Sequence, residues 1–216
     1  MKEIWITGAG FFGSLALNRL DNGKFKFVVV DADPDNLEKL KGPNRTIIQE
    51  DGVAFLDKNL QENKKPDWII PALPVHLAAE WCLLKLGPEK ISRIDMPDGI
   101  EDLVPNPLRG SESEIYASNA TFRCPDDCPE PKDICTHTGK KRKKDLYKIL
   151  EELKIPERES LVVRSHQLGN GVGGYRPEQL FDLLEQVKKS TKKILISTAC
   201  RCHGVISSIG KKPYLE

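Results

Sequence analysis

Five of the six cysteines gather in two short stretches. The run Phe122-Arg123-Cys124-Pro125-Asp126-Asp127-Cys128-Pro129-Glu130-Pro131-Lys132-Asp133-Ile134-Cys135-Thr136-His137 spaces three of them as C-x3-C-x6-C. Its prolines pre-set the backbone and lower the entropy lost when several side chains are gathered around one point. Thiolates gathered in this way suit zinc or a [4Fe–4S] cluster. A fourth ligand would come from Cys200, Cys202 or His203, in Thr198-Ala199-Cys200-Arg201-Cys202-His203-Gly204, or from the nearby His137. The spacing matches neither the zinc-ribbon C-x2-C nor a ferredoxin, so a disulfide pair and plain loop cysteines compete with a metal centre. The sixth cysteine, Cys82, sits beside Trp81 and Leu83 in an apolar helical stretch and reads as core.

A second chemical stretch opens the chain. Ile4-Trp5-Ile6-Thr7-Gly8-Ala9-Gly10-Phe11-Phe12-Gly13 is an apolar run that breaks into Gly-x-Gly-x-x-Gly. In that spacing the first glycine permits a tight turn and the second lets backbone approach a pyrophosphate. The third lets the next helix pack on the strand, whose partner helix offers its N–H groups to the phosphates. The second strand, Phe25 to Asp31, is apolar almost throughout, as a strand buried on both faces should be. It ends in Asp31-Ala32, about 20 residues beyond the glycines, where a carboxylate would bind the adenosine ribose. An acid there repels a 2′-phosphate, so NAD is expected over NADP. The loop Pro71-Ala72-Leu73-Pro74, after a fourth strand, would border the same ligand.

The glycine turn, Val28-Val29-Val30-Asp31-Ala32-Asp33-Pro34 and Leu37 to Leu40 together resemble an NAD(P)-binding Rossmann half. Within that superfamily they are most similar to the nucleotide-binding domains that regulate potassium uptake. The resemblance covers residues 1–85 and implies a dinucleotide ligand.

The elements that must hold these stretches follow from periodicity. Strands are expected at residues 2–7, 25–31, 46–48, 67–70, 91–94, 115–123, 161–165 and 193–198. Helices are expected at 12–20, 33–40, 52–60, 75–86, 143–153 and 177–188, with 96–113 a proline-bearing loop or lid. The simplest arrangement is a single α/β fold, a doubly wound and mostly parallel Rossmann-like sheet with helices on both faces. Residues 1–90 would form its dinucleotide-binding half, and 91–216 would complete the same sheet and carry the cysteine loop 124–137 as an insertion. If all the strands run parallel, the glycine turn, the 71–74 loop, both cysteine stretches and the Gly-rich loop 169–174 converge on one edge.

Other candidates are weaker in kind. His166 and His76 could move a proton, and each could equally be a satisfied structural histidine. Arg123, Arg164 and Arg201 could hold a carboxylate or phosphate. The basic run Gly139-Lys140-Lys141-Arg142-Lys143-Lys144 reads first as a solvated helix start. With 33 basic and 32 acidic residues the formal charge is +1, which argues against nucleic acid as a partner. Apolar runs are strand-sized, so no membrane partner is expected, and the first strand begins at once, which points to the cytoplasm. A homodimer is compatible with all of this. The expected function is an NAD-binding oxidoreductase of a small-molecule substrate, with a metal or iron–sulfur site at Cys124, Cys128 and Cys135 beside the cofactor. The alternative is a non-catalytic NAD(H)- or redox-sensing module.

Overall fold

The computed structural model describes residues 1–212. The first half runs β1 (Lys2–Thr7), α1 (Phe11–Leu20), β2 (Phe25–Asp31), α2 (Pro34–Glu38), β3 (Arg45–Gln49), α3 (Gly52–Asn59), β4 (Trp68–Pro71) and α4 (Leu77–Leu86). It continues through β5 (Ile91–Arg93), α5 (Ile100–Leu103), β6 (Leu108–Ser111), β7 (Glu114–Ser118), α6 (Leu146–Glu151), β8 (Arg158–Arg164), β9 (His166–Gly169) and β10 (Val172–Gly174). α7 (Pro177–Lys189), β11 (Lys193–Ala199) and β12 (His203–Lys211) complete the described chain. Among the described residues no helix is long and apolar enough to cross a membrane.

The fold is mixed α/β. In the first half, β3-β2-β1-β4 form a sheet in which every pair is parallel. Its helices start where the sequence places capping groups. The Asp33 carboxylate accepts the Asp35 N–H ahead of Pro34, and Asp51 accepts from Val53 and Ala54.

The single continuous sheet expected from periodicity does not form. The second half builds its own sheet, ordered β6-β7-β12-β11-β8, with β5 also on β12. Only β11 and β8 are parallel in it, and β12 runs antiparallel to both of its central neighbours, β11 and β7. The 96–113 segment is also more regular than a lid, since it contains α5 and β6. The strand expected over 115–123 stops at Ser118, and the Gly-rich loop is the β9–β10 ribbon.

The two sheets share a core. Trp5, Val30 and Ile69 of the first sheet, Leu77, Trp81 and Cys82 of α4, Leu180 and Leu183 of α7, and Leu161, Ile194 and Ile209 of the second sheet belong to one apolar cluster. α4 and one face of α7 therefore contribute to the core that the two sheets share, which explains why α4 is apolar on most sides. One polar knot crosses this layer. His76, at the start of α4, is buried, with Nδ1 2.8 Å from Ser207 Oγ on β12 and Nε2 2.8 Å from Thr198 Oγ1 on β11. Burial, helped by the charge of Arg93, pushes its pKa down to about 3.

That knot makes stability depend on pH. The unfolded chain binds a proton at His76 near the ordinary imidazole value, whereas the folded chain does so only near 3. The contribution is thus complete above about pH 6.5 and is lost as pH falls through the window towards 3. The unfolding free energy from chemical denaturation should drop on acidification from about pH 6.5, by up to about 1.4 kcal/mol per pH unit from this group. His76→Gln should flatten the profile, and an equally steep one would assign the effect to other groups.

Candidate functional site

The glycine turn owes its shape to close approach. A Cβ on Gly13 would fall 1.9 Å from the Gly8 carbonyl oxygen, and one on Gly8, at φ +102°, would fall 2.4 Å from the Ala72 carbonyl oxygen. Strand ends β1 and β4 are therefore held together at the turn, with the Ala72 N–H donating to Thr7 O at 2.7 Å and Pro71 paired with Thr7. A Cβ on Gly10 would meet nothing within 4 Å, so the start of α1 opens to the outside. Phe11 and Phe12, 66% and 62% exposed, stand there edge to face at 5.2 Å.

Asp31 lies beside this turn as its position in the chain implies. Its carboxylate accepts the Ala9 N–H at 2.5 Å and the Asp33 N–H at 2.8 Å. It thus braces the turn and keeps lone pairs free for a further donor. Ala32 is exposed next to it, its carbonyl oxygen 3.5 Å from Gln49 Nε2.

The cysteine loop, residues 119–145, reaches α1 through the β9–β10 ribbon. Tyr175, just after the ribbon, exchanges two backbone hydrogen bonds with Ile69 of β4, and Leu168 and Val172 pack with α1 in the second apolar cluster. The Cys128 carbonyl oxygen then accepts from the Gly171 N–H at 2.8 Å and from Gln167 Nε2 at 2.9 Å. Arg19 of α1 donates to the carbonyl oxygens of Asp126 and Asn170, each at 2.6 Å. Gly171, at φ +65°, is obligatory here, because a Cβ would fall 1.6 Å from Asp126 O.

A cavity of about 1190 Å³ lies between these parts. Its lining includes Phe11 and Phe12, Gln167 and Gly171, and Cys124, Cys128, Cys200, Cys202, His137 and His203. The expected convergence is met only in part: the lining takes in residues of both cysteine stretches, the β9–β10 ribbon and the start of α1, but none of residues 71–74, and these parts belong to separate sheets. β12 begins where β7, β8 and β11 end, as the pairings His203–Ser118, Gly204–Ala117 and Ala199–Arg164 record. The antiparallel strand brings its own N-terminal turn to the edge that parallel strands would have reached with their C-terminal ends.

The thiols differ in their surroundings. Burial raises the Cys124 pKa, with Cys128, Cys202 and Cys135 as neighbours that add to the effect. Burial also raises Cys202, against the opposing charge of Arg142, whose Nη2 donates to Cys202 Sγ at 3.1 Å. Cys200 is pushed up to about 12 by burial and then by Glu130, while its sulfur accepts the N–H groups of Cys202 and His203 at 3.3 Å. Cys135 moves the other way, because the Thr138 side chain and backbone donate to it. All five are free thiols, and among the described residues no three cysteines, histidines or carboxylates are grouped so that they could hold a metal ion.

The two histidines expected to move protons are placed elsewhere. His76 is in the knot between the sheets, and His166, with its pKa lowered by burial and Arg164, sits near Trp68 at 5.8 Å, off the cavity lining. Of the arginines, Arg123 lines the cavity and Arg201 is tied to Asp145 at 2.7 Å, while Arg164 stacks over Tyr147. The basic run divides. Lys140, Lys141, Lys143 and Lys144 are exposed, but the Arg142 side chain is 6% exposed and points inward to Cys202. Nothing in a run of cations marks which one turns inward, so sequence reasoning could not find Arg142. Cys82 is in the core, as its apolar neighbours imply.

A family model described as "Uncharacterized protein, C-terminal domain" matches residues 78–212. The chain is similar to a protein of Archaeoglobus fulgidus, itself described as an uncharacterized protein. The two are 29% identical over 223 residues, covering 94% of this chain and 97% of the relative. No solved structure matches the chain.

The close approaches set a clear expectation for stability. Gly13→Ala and Gly171→Ala should each cost about 2 kcal/mol or more, since backbone must move to admit the methyl. Gly10→Ala, with open space around it, should cost no more than about 1 kcal/mol, the ordinary penalty of alanine at a helix N-cap. Chemical denaturation of the three variants measures this, and equal losses would refute the steric assignment.

Proposed function

We propose, for a chain that belongs to the family described as "Uncharacterized protein, C-terminal domain", an NAD(H)-binding redox protein whose dinucleotide lies between the glycine turn and a thiolate metal centre. The observation that carries this reading is one cavity whose lining holds both Phe11 and Phe12, at the start of α1, and four cysteines. Support for the dinucleotide comes from the parallel order β3-β2-β1-β4, which is that of the first half of a Rossmann sheet. The open Gly10 and the placing of Asp31 at the end of β2 agree with it. Their resemblance to nucleotide-binding domains of potassium-uptake regulators points the same way. The backbone N–H groups at the start of α1 would take the pyrophosphate, and Asp31 would accept from the ribose hydroxyls. NAD(H) supplies hydride chemistry when bound. The soft donor set of Cys124, Cys128 and Cys135 fits zinc or a [4Fe–4S] cluster in kind.

A second reading is a sensor that binds the dinucleotide without turnover. One observation favours it: neither His76 nor His166, the histidines suited by position in the chain to proton transfer, faces the cavity.

Thermal-shift titration of the anaerobically purified chain tests the dinucleotide. NAD+ or NADH should raise Tm by mass action, and absence of a shift with NAD(H) and NADP(H) alike would overturn the proposal. Asp31→Ala and Gly10→Ala should weaken binding by about tenfold, the equivalent of one or two hydrogen bonds. Steady NADH oxidation with an added electron acceptor would separate the enzyme from the sensor.

A further inference from the structure

At about 1190 Å³ the cavity is larger than most small-ligand sites, which run to about 300–1,000 Å³. Part of its lining belongs to neither the glycine turn nor β2. Leu108 and Tyr116 are direct partners across the β6–β7 hairpin, so their side chains share one face. They are 68% and 41% exposed, and both line the cavity. Tyr116 is fixed in place. Its hydroxyl donates to Glu114 Oε1 at 2.8 Å, and a Cβ on Gly110 would fall 2.7 Å from its ring. The approach to β6 is fixed as well. Asn106, at φ +42°, donates from its side chain to the Ser118 carbonyl oxygen at 2.8 Å, and the Ser118 N–H donates to Pro105 O at 3.0 Å.

A second aromatic pair lines the same cavity from the cysteine loop. The rings of Phe122 and His137 stack with centroids 4.6 Å apart and 26° between their planes. Large apolar side chains gathered in the open along one cavity mark a ligand surface. Charge narrows the ligand further. Arg123 is the one lysine or arginine among the described residues of the lining; it is exposed, and it pairs with no carboxylate among the described residues. The two carboxylates of the lining are engaged elsewhere. Asp126 lies 3.6 Å from Arg19, and Glu130 accepts the Arg201 N–H at 2.6 Å. A guanidinium left open next to a stacked ring suits a carboxylate carried on a planar apolar body.

We propose that the Leu108–Tyr116 pair, the Phe122–His137 stack and Arg123 form a binding site for a small aromatic carboxylate. The apolar surfaces take the planar body, and Arg123 takes the carboxylate through its forked N–H donors. That this anion is the redox substrate rests on the dinucleotide reading above; that it binds does not.

The test titrates the anaerobically purified chain by calorimetry with 2-naphthoate and with its neutral counterpart 2-naphthamide, each with and without NAD+. Naphthoate should bind wild type at least about tenfold more tightly than the amide, the equivalent of one charge-assisted hydrogen bond. Arg123→Gln should remove that preference. Leu108→Ser, at a position too exposed to disturb folding, should weaken both ligands about tenfold through lost apolar contact. Lys140→Gln, at an exposed cation outside the lining, should change neither. Absence of naphthoate binding in both conditions would overturn the inference, as would equal affinity for the two ligands or an unchanged affinity in Leu108→Ser. A dimer that Leu108→Ser dissociates would give this surface to a second copy and overturn it as well. Naphthoate binding to a chain whose Tm no dinucleotide shifts would keep the site and remove the cofactor reading, so the two failures are separable.

Discussion

The carbonyl oxygen of Cys128 holds the candidate site together. Two donors from the ribbon, the Gly171 N–H and the Gln167 side chain, meet on it. None of residues 119–145 belongs to the three apolar clusters of the described chain. A segment with no core of its own is ordered only if its polar contacts offset the chain entropy. Here those contacts are the bonds to Cys128, Arg19 on Asp126 and Arg142 on the 131–132 carbonyls. The loop is therefore positioned by hydrogen bonds to rigid elements, and its cysteines inherit their places from α1, the ribbon and the β11–β12 turn.

The first half was readable because its physical demands are local. A parallel strand covered on both faces needs an unbroken apolar run, and Phe27 to Val30 supply one. Asp33 before Pro34 starts α2 by the means its residue types announce. The glycine turn was readable for the same reason: Gly8 and Gly13 occupy positions where a side chain cannot fit, and spacing alone reports that.

The second half was not readable in the same way. β12 is the central strand of its sheet, yet it reads His-Gly-Val-Ile-Ser-Ser-Ile-Gly-Lys, with serines at buried positions. Ser207 is buried because His76 and Glu114 reach it, and Ser208 because Arg158 and Asp95 do. Each partner is distant in the chain, so no local pattern declares the strand. The same holds for Arg142, whose inward turn depends on Cys202, 60 residues away. Convergence of five loops on one sheet edge was anticipated from parallel strands; the two cysteine stretches do meet, but because β12 enters antiparallel, and the 71–74 loop stays outside the cavity.

β12 has one more consequence, for the order in which the chain can be made. During vectorial synthesis the first sheet has all four strands once residue 71 has emerged. β5, β6 and β7 then wait, since the strand that pairs with β5 and β7 is residues 203–211. Until that segment arrives, the nascent chain carries an unpaired hairpin and a cysteine loop lacking its anchor at the turn. The second sheet must close late, through contacts of long sequence separation, which is the slow step in forming such topologies.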